Sequence, residues 1–421
     1  MTQSGAYPIP PGRGRWRLTL HNRQFGDESW QSTILTEFPN ARGRRLEQQL
    51  NTSAQLTFTL DGRSDAAAMV QELEQDVIAW RWDDRWGVDV PYFRGIIGQA
   101  EDQLSEQSHV VTITCHDYIA MLTRRHVTNT LTFSQQDQDS IVAFLMDAAR
   151  NVYSTGRGQN FIPGSYLPLY SYFVAGDGSG RSSSGQLRDR TYQGSAEIGQ
   201  TLDDLAHVIN GFDYDAVPAW RVDRYDEAQE YDYLRIFYPS QGVVRTDPIL
   251  EYGGAVSTVT RTVTSGDYAN FDRVLGNAAT TDPNAAQLFS EKWNADANNV
   301  TVTPIGLWMN DENAADVSIQ STLDQTASGT INLMGVLVPS YTLGLRPEVY
   351  YESIFNVGDT VPVIINSGRL AVNTTLRIVG LTFDIGDDGQ EDVSVTVGRS
   401  KTTLANLLTK ADEDVNALAR R

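Results

Sequence analysis

Residues 355–399 constrain the fold more than any other part of the chain, because they have the pattern of consecutive strands. Apolar and polar side chains alternate in three runs, which is the period of strands that bury one face. The apolar residues of these runs are Val361, Val363 and Ile365, then Leu376, Ile378, Val379 and Leu381, then Val393, Val395 and Val397. Turn-forming residues separate the runs at Gly358-Asp359, Ser367-Gly368 and Asp387-Asp388-Gly389. The pattern predicts a small antiparallel barrel or sandwich.

A second region near the start of the chain has the same period. Residues 15–60 alternate through four segments, and strand-like alternation resumes over residues 77–115. Between them, residues 64–75 predict one short helix, because their apolar side chains recur on one side. We therefore expect a first β-module made of strands and one packed helix.

Two stretches in the middle of the chain have the 3.6-residue period of amphipathic helices. Their apolar stripes are Ile141, Phe144, Leu145 and Ala148, and Ile198, Leu202, Leu205 and Ile209. The second stretch ends at Asn210-Gly211, where glycine suits the left-handed position beyond a helix. Residues 154–194 have no sustained period and are rich in Gly, Ser and Tyr, so they predict a long loop, which either docks on a neighbour through its aromatic side chains or is disordered. Residues 283–293 and 314–333 predict two further helical segments.

These elements predict a β-rich α+β protein with two small antiparallel β-barrels, each carrying a mainly helical insertion, and a C-terminal helix. A chain of 421 residues is too long for one core, which also favours several domains. The predicted parts are the first barrel (1–116 with 212–245), an inserted helical module with the long loop (117–211), the second barrel (246–280 with 336–400), a helical insertion (281–335) and the C-terminal helix (401–421).

Charge is distributed unevenly along the chain. The formal net charge is −20, yet the first fifty residues carry seven arginines against four acidic residues. An acidic protein is a poor free-standing nucleic-acid binder, since affinity for phosphates needs a basic surface. We expect the basic N-terminal region to dock on an acidic neighbour. The candidate docking residues are Arg13, Arg15, Arg17, Arg42, Arg44 and Arg45.

Motifs of catalysis and metal binding are missing from the sequence. It contains no phosphate-binding loop with lysine, no His-Glu-x-x-His and no Gly-x-Ser-x-Gly, and its five histidines lack helical ligand spacing. Cys115 is the one cysteine, and its alternation with Val111 and Ile113 predicts a buried apolar role. Neighbouring acids such as Glu391-Asp392 are expected on the surface rather than as a catalytic pair. We expect no catalytic residue, cofactor or metal site.

Three tryptophans leave two interpretations open. Trp80, Trp82 and Trp86 could form a platform for stacking sugars, but the alternation of Trp80 and Trp82 with smaller or polar residues favours a core position. The sequence contains neither an apolar run of 18 residues nor the apolar core of a secretion signal, so we expect no membrane span and a protein that is soluble when made.

The C-terminal stretch has apolar residues in steps of four and three. They are Leu404, Leu408, Ala411, Val415 and Leu418, the spacing of a heptad seam between helices. A single amphipathic helix lying on the barrel explains the same spacing, because barely two heptads are present.

Three segments together carry a resemblance to a known family. They are IAWRWDD, PYFRGIIGQAED and HVVTITCHDYIAML within residues 77–122, LDDLAHVINGFDY at 202–214, and the strand run at 355–399 with its GDTV, RIVGL and DDG motifs. In this order they resemble the tail hub proteins, also called tail-associated tip or baseplate hub proteins, of long-tailed bacteriophages. The three segments cover about a quarter of the chain, and their order carries more weight than any one motif.

The resemblance implies a non-enzymatic structural protein of the virion. It implies a homotrimer whose six barrels form a ring, joining a sixfold tail tube to a threefold tip. Implied partners are the tail tube or distal tail ring protein, the tape-measure protein and other tip or fibre proteins, with DNA passing through the lumen without specific binding. An acidic wall suits such passage, because like charge repels DNA over roughly 8 Å at physiological salt. Implied locations are the tail tip and, during assembly, the host cytoplasm.

Two other functions stay open at this stage. One is a tail-tip protein that binds host-surface carbohydrate through the tyrosine-rich loop and the tryptophans. The other is a cell-wall hydrolase, which the short stretch after the last predicted strand disfavours. Under the hub interpretation, the C-terminal seam predicts that three copies meet on the tail axis.

Overall fold

The computed structural model describes residues 15–25, 30–83, 87–150, 153–154, 160–161, 167–175, 180–206, 210–218, 231–263, 265, 268–276, 287–294, 306–313, 320–335, 337, 339–346, 355–387 and 390–398. Strands dominate the described residues, and the helical share is 14%. The predicted β-rich class is therefore confirmed.

Seven strands and two short helices form the N-terminal part. They are β1 (Trp16–Phe25), β2 (Trp30–Glu37), β3 (Arg42–Gln49), β4 (Gln55–Asp61), α1 (Asp65–Ala68), β5 (Gln75–Asp83), β6 (Val88–Leu104), β7 (His109–His116) and α2 (Ile119–Leu122). The helix expected over residues 64–75 is shorter than predicted. Ser64 caps it by accepting a hydrogen bond from the Ala67 N–H. It ends before Leu73, whose φ of 64° is left-handed and does not fit a helix.

The next part of the chain mixes strands and helices. Its elements are β8 (Leu131–Asp137), α3 (Gln138–Arg150), β9 (Tyr153–Ser154), β10 (Asn160–Phe161), β11 (Leu169–Ala175), β12 (Leu187–Tyr192), α4 (Ile198–Ala206), β13 (Asp213–Pro218) and β14 (Asp232–Tyr238). The two predicted helices are confirmed as α3 and α4. Ile141 and Leu145 of α3 are fully buried as predicted, whereas Phe144 is 58% exposed.

The remaining elements follow in chain order. They are β15 (Leu250–Glu251), β16 (Val256–Thr262), β17 (Phe271–Leu275), β18 (Phe289–Trp293), β19 (Met309–Asn313), α5 (Gln320–Met334), β20 (Ser340–Leu345), β21 (Thr360–Ser367), β22 (Leu370–Ile385) and β23 (Glu391–Gly398). The expectation of a helix over residues 283–293 is wrong for residues 289–293, which form β18. The helix expected at 314–333 is present as α5.

Most strands belong to one 13-stranded sheet. Its order is β16-β20-β23-β22-β3-β4-β7-β6-β5-β1-β2, with β21 and β15 branching from β22. The long strand β22 joins its two parts, because residues 370–377 pair with β21 whereas residues 380–385 pair with β3. The first and last parts of the chain therefore belong to the same hydrogen-bonded sheet.

The large sheet bends so that strands distant in the sheet order face one another. Trp16 of β1 lies 5.5 Å from Phe383 of β22, and Tyr92 of β6 lies 5.5 Å from the same ring, centroid to centroid. The predicted alternation is confirmed in the C-terminal strands, where Val361 and Val395 are fully buried. Among the described residues β2 and β16 end the sheet, so its hydrogen bonding is not closed and the two-barrel prediction is not confirmed.

The inserted module is mixed rather than mainly helical. Its strands form a three-stranded sheet, β11-β14-β13, and a β8–β12 ladder. The strands β13 and β14, expected to complete the first barrel, pair with each other and with β11 of the insertion. The core of the module is built by α3, α4 and the small sheet, and it contacts the large sheet through Ile96 and Tyr118. The domain boundaries given above stay a prediction.

A second compact unit falls largely within residues 260–341. Three strands pair in the order β18-β17-β19, and α5 covers one face of them through Leu323 and Ala327, which pack on Val274. This insertion is therefore a small α+β unit and not the helical one that the sequence predicted, because β17 to β19 lie beside α5.

Candidate assembly surfaces and buried polar junctions

The predicted basic docking residues lie in or beside β1 and β3. Arg13 lies outside the described residues. Four others contact acidic side chains of the same chain: Arg15 Nε–Glu391 Oε1 at 4.0 Å, Arg17 Nε–Asp89 Oδ2 at 3.4 Å, Arg42 Nε–Asp387 Oδ2 at 3.9 Å and Arg45 Nη1–Asp384 Oδ1 at 3.0 Å. Arg44 is buried and donates to the backbone oxygen of Gly386. Because these pairs partly neutralise the positive charge, the surface is less basic than the sequence implies, and the docking role stays a prediction.

Glu391 is the centre of a buried junction, contrary to the expectation that it lies on the surface. Its carboxylate accepts two hydrogen bonds from Arg81, at 2.9 and 2.6 Å, and one from Trp16 Nε1 at 2.7 Å. The Arg81 and Glu391 side chains are only 6% and 9% exposed. A bidentate arginine–carboxylate pair has strong and directional hydrogen bonds. This pair therefore fixes β23 against β1 and β5, which lie more than 300 residues away in sequence.

A second junction links β22 to the inserted module. Arg377 of β22 donates to Asp213 of β13 and, at 2.8 Å, to the backbone oxygen of Gln241. Asn51 donates to the other oxygen of Asp213 at 3.1 Å and accepts from the backbone N–H of Tyr214 at 2.8 Å. Both oxygens of Asp213 and both polar atoms of the Asn51 amide are hydrogen-bonded, and a polar network stabilises a fold when its members are paired in this way.

The same junction needs two glycines. Gly242 has φ +85° and Gly358 has φ +94°, and a Cβ added at Gly242 would overlap the backbone of Gly358 and Asp359. Asp359 accepts from the Val243 N–H at 2.7 Å and from Arg245 Nε at 3.0 Å. The close approach of the two backbones therefore positions the 241–245 segment beside β21.

A third junction holds Arg94 of β6 between two carboxylates. Arg94 Nε lies 3.4 Å from Asp76 Oδ2, and Arg94 Nη1 lies 4.0 Å from Asp232 Oδ1. Tyr118 donates to Asp76 Oδ2 at 2.6 Å. Burial raises the pKa of Asp232 to about 8, although the Arg94 charge opposes this shift. Burial, with a smaller contribution from Arg94, also lowers the pKa of His21 to about 4. Burial therefore favours the neutral forms of both Asp232 and His21.

A cavity of about 380 Å³ lies beside the second junction. Its charged lining residues are paired, with Arg235 Nη2 2.6 Å from Asp215 Oδ2 and Arg245 Nε 3.0 Å from Asp359 Oδ2. Asp117 also lines the cavity and accepts from Ser53 Oγ and two backbone N–H groups, while burial raises its pKa to about 7. The described residues contain no group of three or more His, Cys, Asp or Glu side chains that could hold a metal ion.

Two of the three tryptophans at the end of β5 are described. Trp82 is 6% exposed, as a core position predicts. Trp80 is half-buried and donates to Thr19 Oγ1 at 2.7 Å. Trp86 lies outside the described residues. Cys115 is buried as predicted, and burial raises its pKa well above the usual thiol range.

Exposed apolar side chains mark two other surfaces. The edge strand β2 exposes Ile34 by 59% and Leu35 by 41%, although consecutive strand residues point to opposite faces. The three-stranded sheet of the second unit exposes Trp293 by 60%, Phe289 by 53% and Met309 by 50%. Sequence reasoning missed this surface because residues 283–293 were interpreted as helical, whereas Phe289 and Trp293 are spaced by four in a strand and share a face.

The residues of the predicted C-terminal seam, Leu404, Leu408, Ala411, Val415 and Leu418, lie outside the described residues. Within the described part of the chain, none of the helices has the length and apolar character to span a membrane.

No protein-family model matches the sequence, and no curated protein matches it significantly. Solved structures do match its fold. The tail protein from Neisseria meningitidis MC58 aligns with a TM-score of 0.52 and 11% identity, over 94% of this chain and 99% of that one. The 43 kDa tail protein of prophage MuSo2 from Shewanella oneidensis gives a TM-score of 0.52 and 9% identity, over 92% and 99%. Prophage tail protein gp18 from Listeria monocytogenes EGD-e gives 0.48 and 11%, over 93% and 98%.

The first two alignments cover nearly the whole of each protein, so the match extends well beyond any single motif or domain. At 9–11% identity the similarity concerns the fold alone. The resemblance inferred from the sequence is confirmed at that level: the chain has the fold of phage tail proteins.

Proposed function

We propose that this chain is a structural protein of a phage virion, the hub at the tip of the tail. Three copies form a ring that joins the sixfold tail tube to a threefold tip, and each copy supplies two β-modules. The observation that carries the proposal is the end-to-end similarity to two phage tail proteins, together with the large sheet in which β22 joins the N-terminal and C-terminal strands.

The free edges of the large sheet support assembly into a ring. Strands β2 and β16 lie at its two ends among the described strands, and an unpaired strand edge invites pairing with another chain. The exposed Ile34 and Leu35 of β2 add apolar surface at one of these edges. Contact between neighbouring copies would cover both the edge and these side chains.

The buried junctions support a structural role rather than a catalytic one. Glu391, Asp76 and Asp117 accept hydrogen bonds from arginine, tyrosine or backbone groups, and the acidic residues Asp215 and Asp359 of the cavity are paired with arginines. The proposed hub is therefore not an enzyme. Its partners are the tail tube or distal tail ring protein, the tape-measure protein and other tip or fibre proteins.

The acidic composition supports a channel for DNA. A net charge of −20 disfavours adhesion of DNA to the wall. In this proposal DNA and the tape-measure protein pass through the lumen without specific binding. The protein resides at the tail tip after assembly in the host cytoplasm.

Sedimentation equilibrium of the purified protein tests the oligomer. We expect a species of three times the chain mass of 46.6 kDa. The variant Ile34→Lys should weaken it, because a charge would enter the covered edge, whereas Phe144→Lys, also at an exposed position, should not. Immunogold labelling of intact particles tests the location, and label along the tube or on peripheral fibres would contradict a hub.

A further inference from the structure

The small sheet of the second unit has one face that none of the described helices covers. On the opposite face, Asp272 and Val274 of β17 are fully buried, and Val274 packs against Leu323 and Ala327 of α5. Because side chains alternate along a strand, Phe271 and Leu275 lie on the uncovered face. Phe271 pairs with Trp293 on one side and with Met309 on the other, so one apolar row crosses all three strands. We call the surface made by Phe271, Phe289, Trp293 and Met309 the aromatic face.

The aromatic face exposes several large apolar side chains side by side. Trp293, Phe289 and Met309 are each at least half exposed, whereas large apolar side chains on a protein surface usually occur singly. Tryptophan is enriched among the residues that dominate binding energy at interfaces. The arrangement therefore favours an apolar occupant that lies across the three strands.

Charge restricts the occupant further. Between the apolar rows lie Glu291, Arg273 and Asp311, and Arg273 is already held by Glu291, with Nε 2.9 Å from Oε1. Residues 260–341 contain nine acidic residues and three basic ones. An occupant with positive charge at one end would therefore be favoured over a neutral or acidic one.

One segment of this chain has the required chemistry. Residues 7–13, Tyr-Pro-Ile-Pro-Pro-Gly-Arg, combine apolar side chains, three prolines and a terminal arginine, and Arg15 follows. Proline-rich sequences favour an extended helix that loses little entropy on binding to aromatic surfaces. In that conformation the fourteen residues before Arg15 would span about 43 Å.

We propose that residues 7–13 of one copy dock on the aromatic face of a neighbouring copy, with the prolines against Trp293 and Arg13 near Glu291 and Asp311. The proposal rests on the proposed function only for the presence of neighbouring copies. It gives the basic N-terminal region an acidic acceptor within the same assembly.

The test is binding of a fluorescein-labelled peptide of residues 1–15 to a variant of the chain that lacks residues 2–14. The deletion prevents the protein's own N-terminal segment from competing with the peptide. Fluorescence anisotropy should show saturable binding that weakens as salt rises. Trp293→Ala should weaken binding at least tenfold, and so should Met309→Glu, which keeps the test valid if one variant fails to fold. Phe144→Ala is the matched control, since Phe144 is equally exposed on α3, and it should leave binding unchanged.

Changes in the peptide provide the second half of the test. Arg13→Glu should weaken binding at least tenfold, and a scrambled peptide of the same composition should bind less well. Equal binding of the scrambled peptide, no binding at millimolar peptide, or full binding by both Trp293→Ala and Met309→Glu would overturn the proposal. If chitotetraose, used as a glycan probe, binds with loss on Trp293→Ala while the peptide does not bind, the face is a carbohydrate site and the proposal is wrong. Because the peptide assay does not need a trimer, its failure is distinguishable from failure of the trimeric hub, which sedimentation reports.

Discussion

The Glu391 junction gives the sharpest prediction about stability. Glu391→Gln removes the charge that compensates Arg81 while keeping the size of the side chain. Both side chains are less than 10% exposed and share two hydrogen bonds, so the variant removes a negative charge that directly contacts a buried guanidinium. Removing one partner of a buried ion pair costs about 3–5 kcal/mol, and retention of an amide oxygen places the expected loss near the lower end, at about 3 kcal/mol.

Urea denaturation measures this loss as a shift of the midpoint at unchanged slope. The pair Arg45–Asp384 is the matched control, because it also joins the N-terminal and C-terminal strands but its side chains are 49% and 50% exposed. Asp384→Asn should cost no more than about 0.5 kcal/mol, since exposed ion pairs contribute little. In a double-mutant cycle, Arg81→Met and Glu391→Leu are made singly and together. The double variant should lose less stability than the sum of the two single variants, by at least about 1.5 kcal/mol. A loss below about 0.5 kcal/mol for Glu391→Gln, or additive single losses, would refute the view that this junction holds β23 against β1 and β5.

Three further predictions concern other parts of the fold. Gly242→Ala should destabilise the protein by about 3 kcal/mol or more, because strain at positive φ adds to overlap with Gly358, whereas Gly253→Ala, at φ +89° in open space, should cost about 1 kcal/mol; equal losses in thermal unfolding would contradict the close approach. The folded pKa of Asp232 is about 8 against an ordinary 3.8, so between these values this carboxyl binds more proton in the native state than in the unfolded state, and its contribution to stability should fall as pH rises from 4 to 8; Asp232→Asn should remove this contribution, and an unchanged pH dependence in urea titrations would count against the buried protonated carboxyl. Truncation after Arg399 should weaken the trimer if the seam from Leu404 to Leu418 joins three copies, and an unchanged sedimentation profile would exclude a required seam.

The spacing of apolar residues along the chain predicts the strands and helices that bury one face. The alternation of Val361, Val363 and Ile365 predicted a strand buried on one face, and all three are buried in β21. The helical stripes of α3 and α4 were predicted for the same reason. Residues 289–293 show how this reasoning fails, because the alternation of Phe289, Glu291 and Trp293 was outweighed by the helix-like character of the residues before them.

Pairing between distant strands could not be predicted from the sequence. The sequences of β13 and β14 do not indicate which strand they pair with. They could have paired with strands of the large sheet, but β14 pairs with β11 of the inserted module. Likewise, Glu391 beside Asp392 has the sequence pattern of a surface hairpin, and its buried contact with Arg81 depends on the bend of a sheet built from both ends of the chain. The candidate surfaces were predicted only in part, since the arginines of β3 were found but the acidic partners of Arg45 and Arg42, which are Asp384 of β22 and Asp387 just after it, were not.

The central claim is that three copies of this chain form the hub at the end of the tail tube. A reconstruction of intact tails by electron cryomicroscopy, without imposed symmetry, tests it most directly. We expect three copies in one ring, coaxial with the tube at its tip, with the two β-modules of each copy alternating around the lumen. Six copies in the ring, or a position on the tube wall or the fibres, would contradict it.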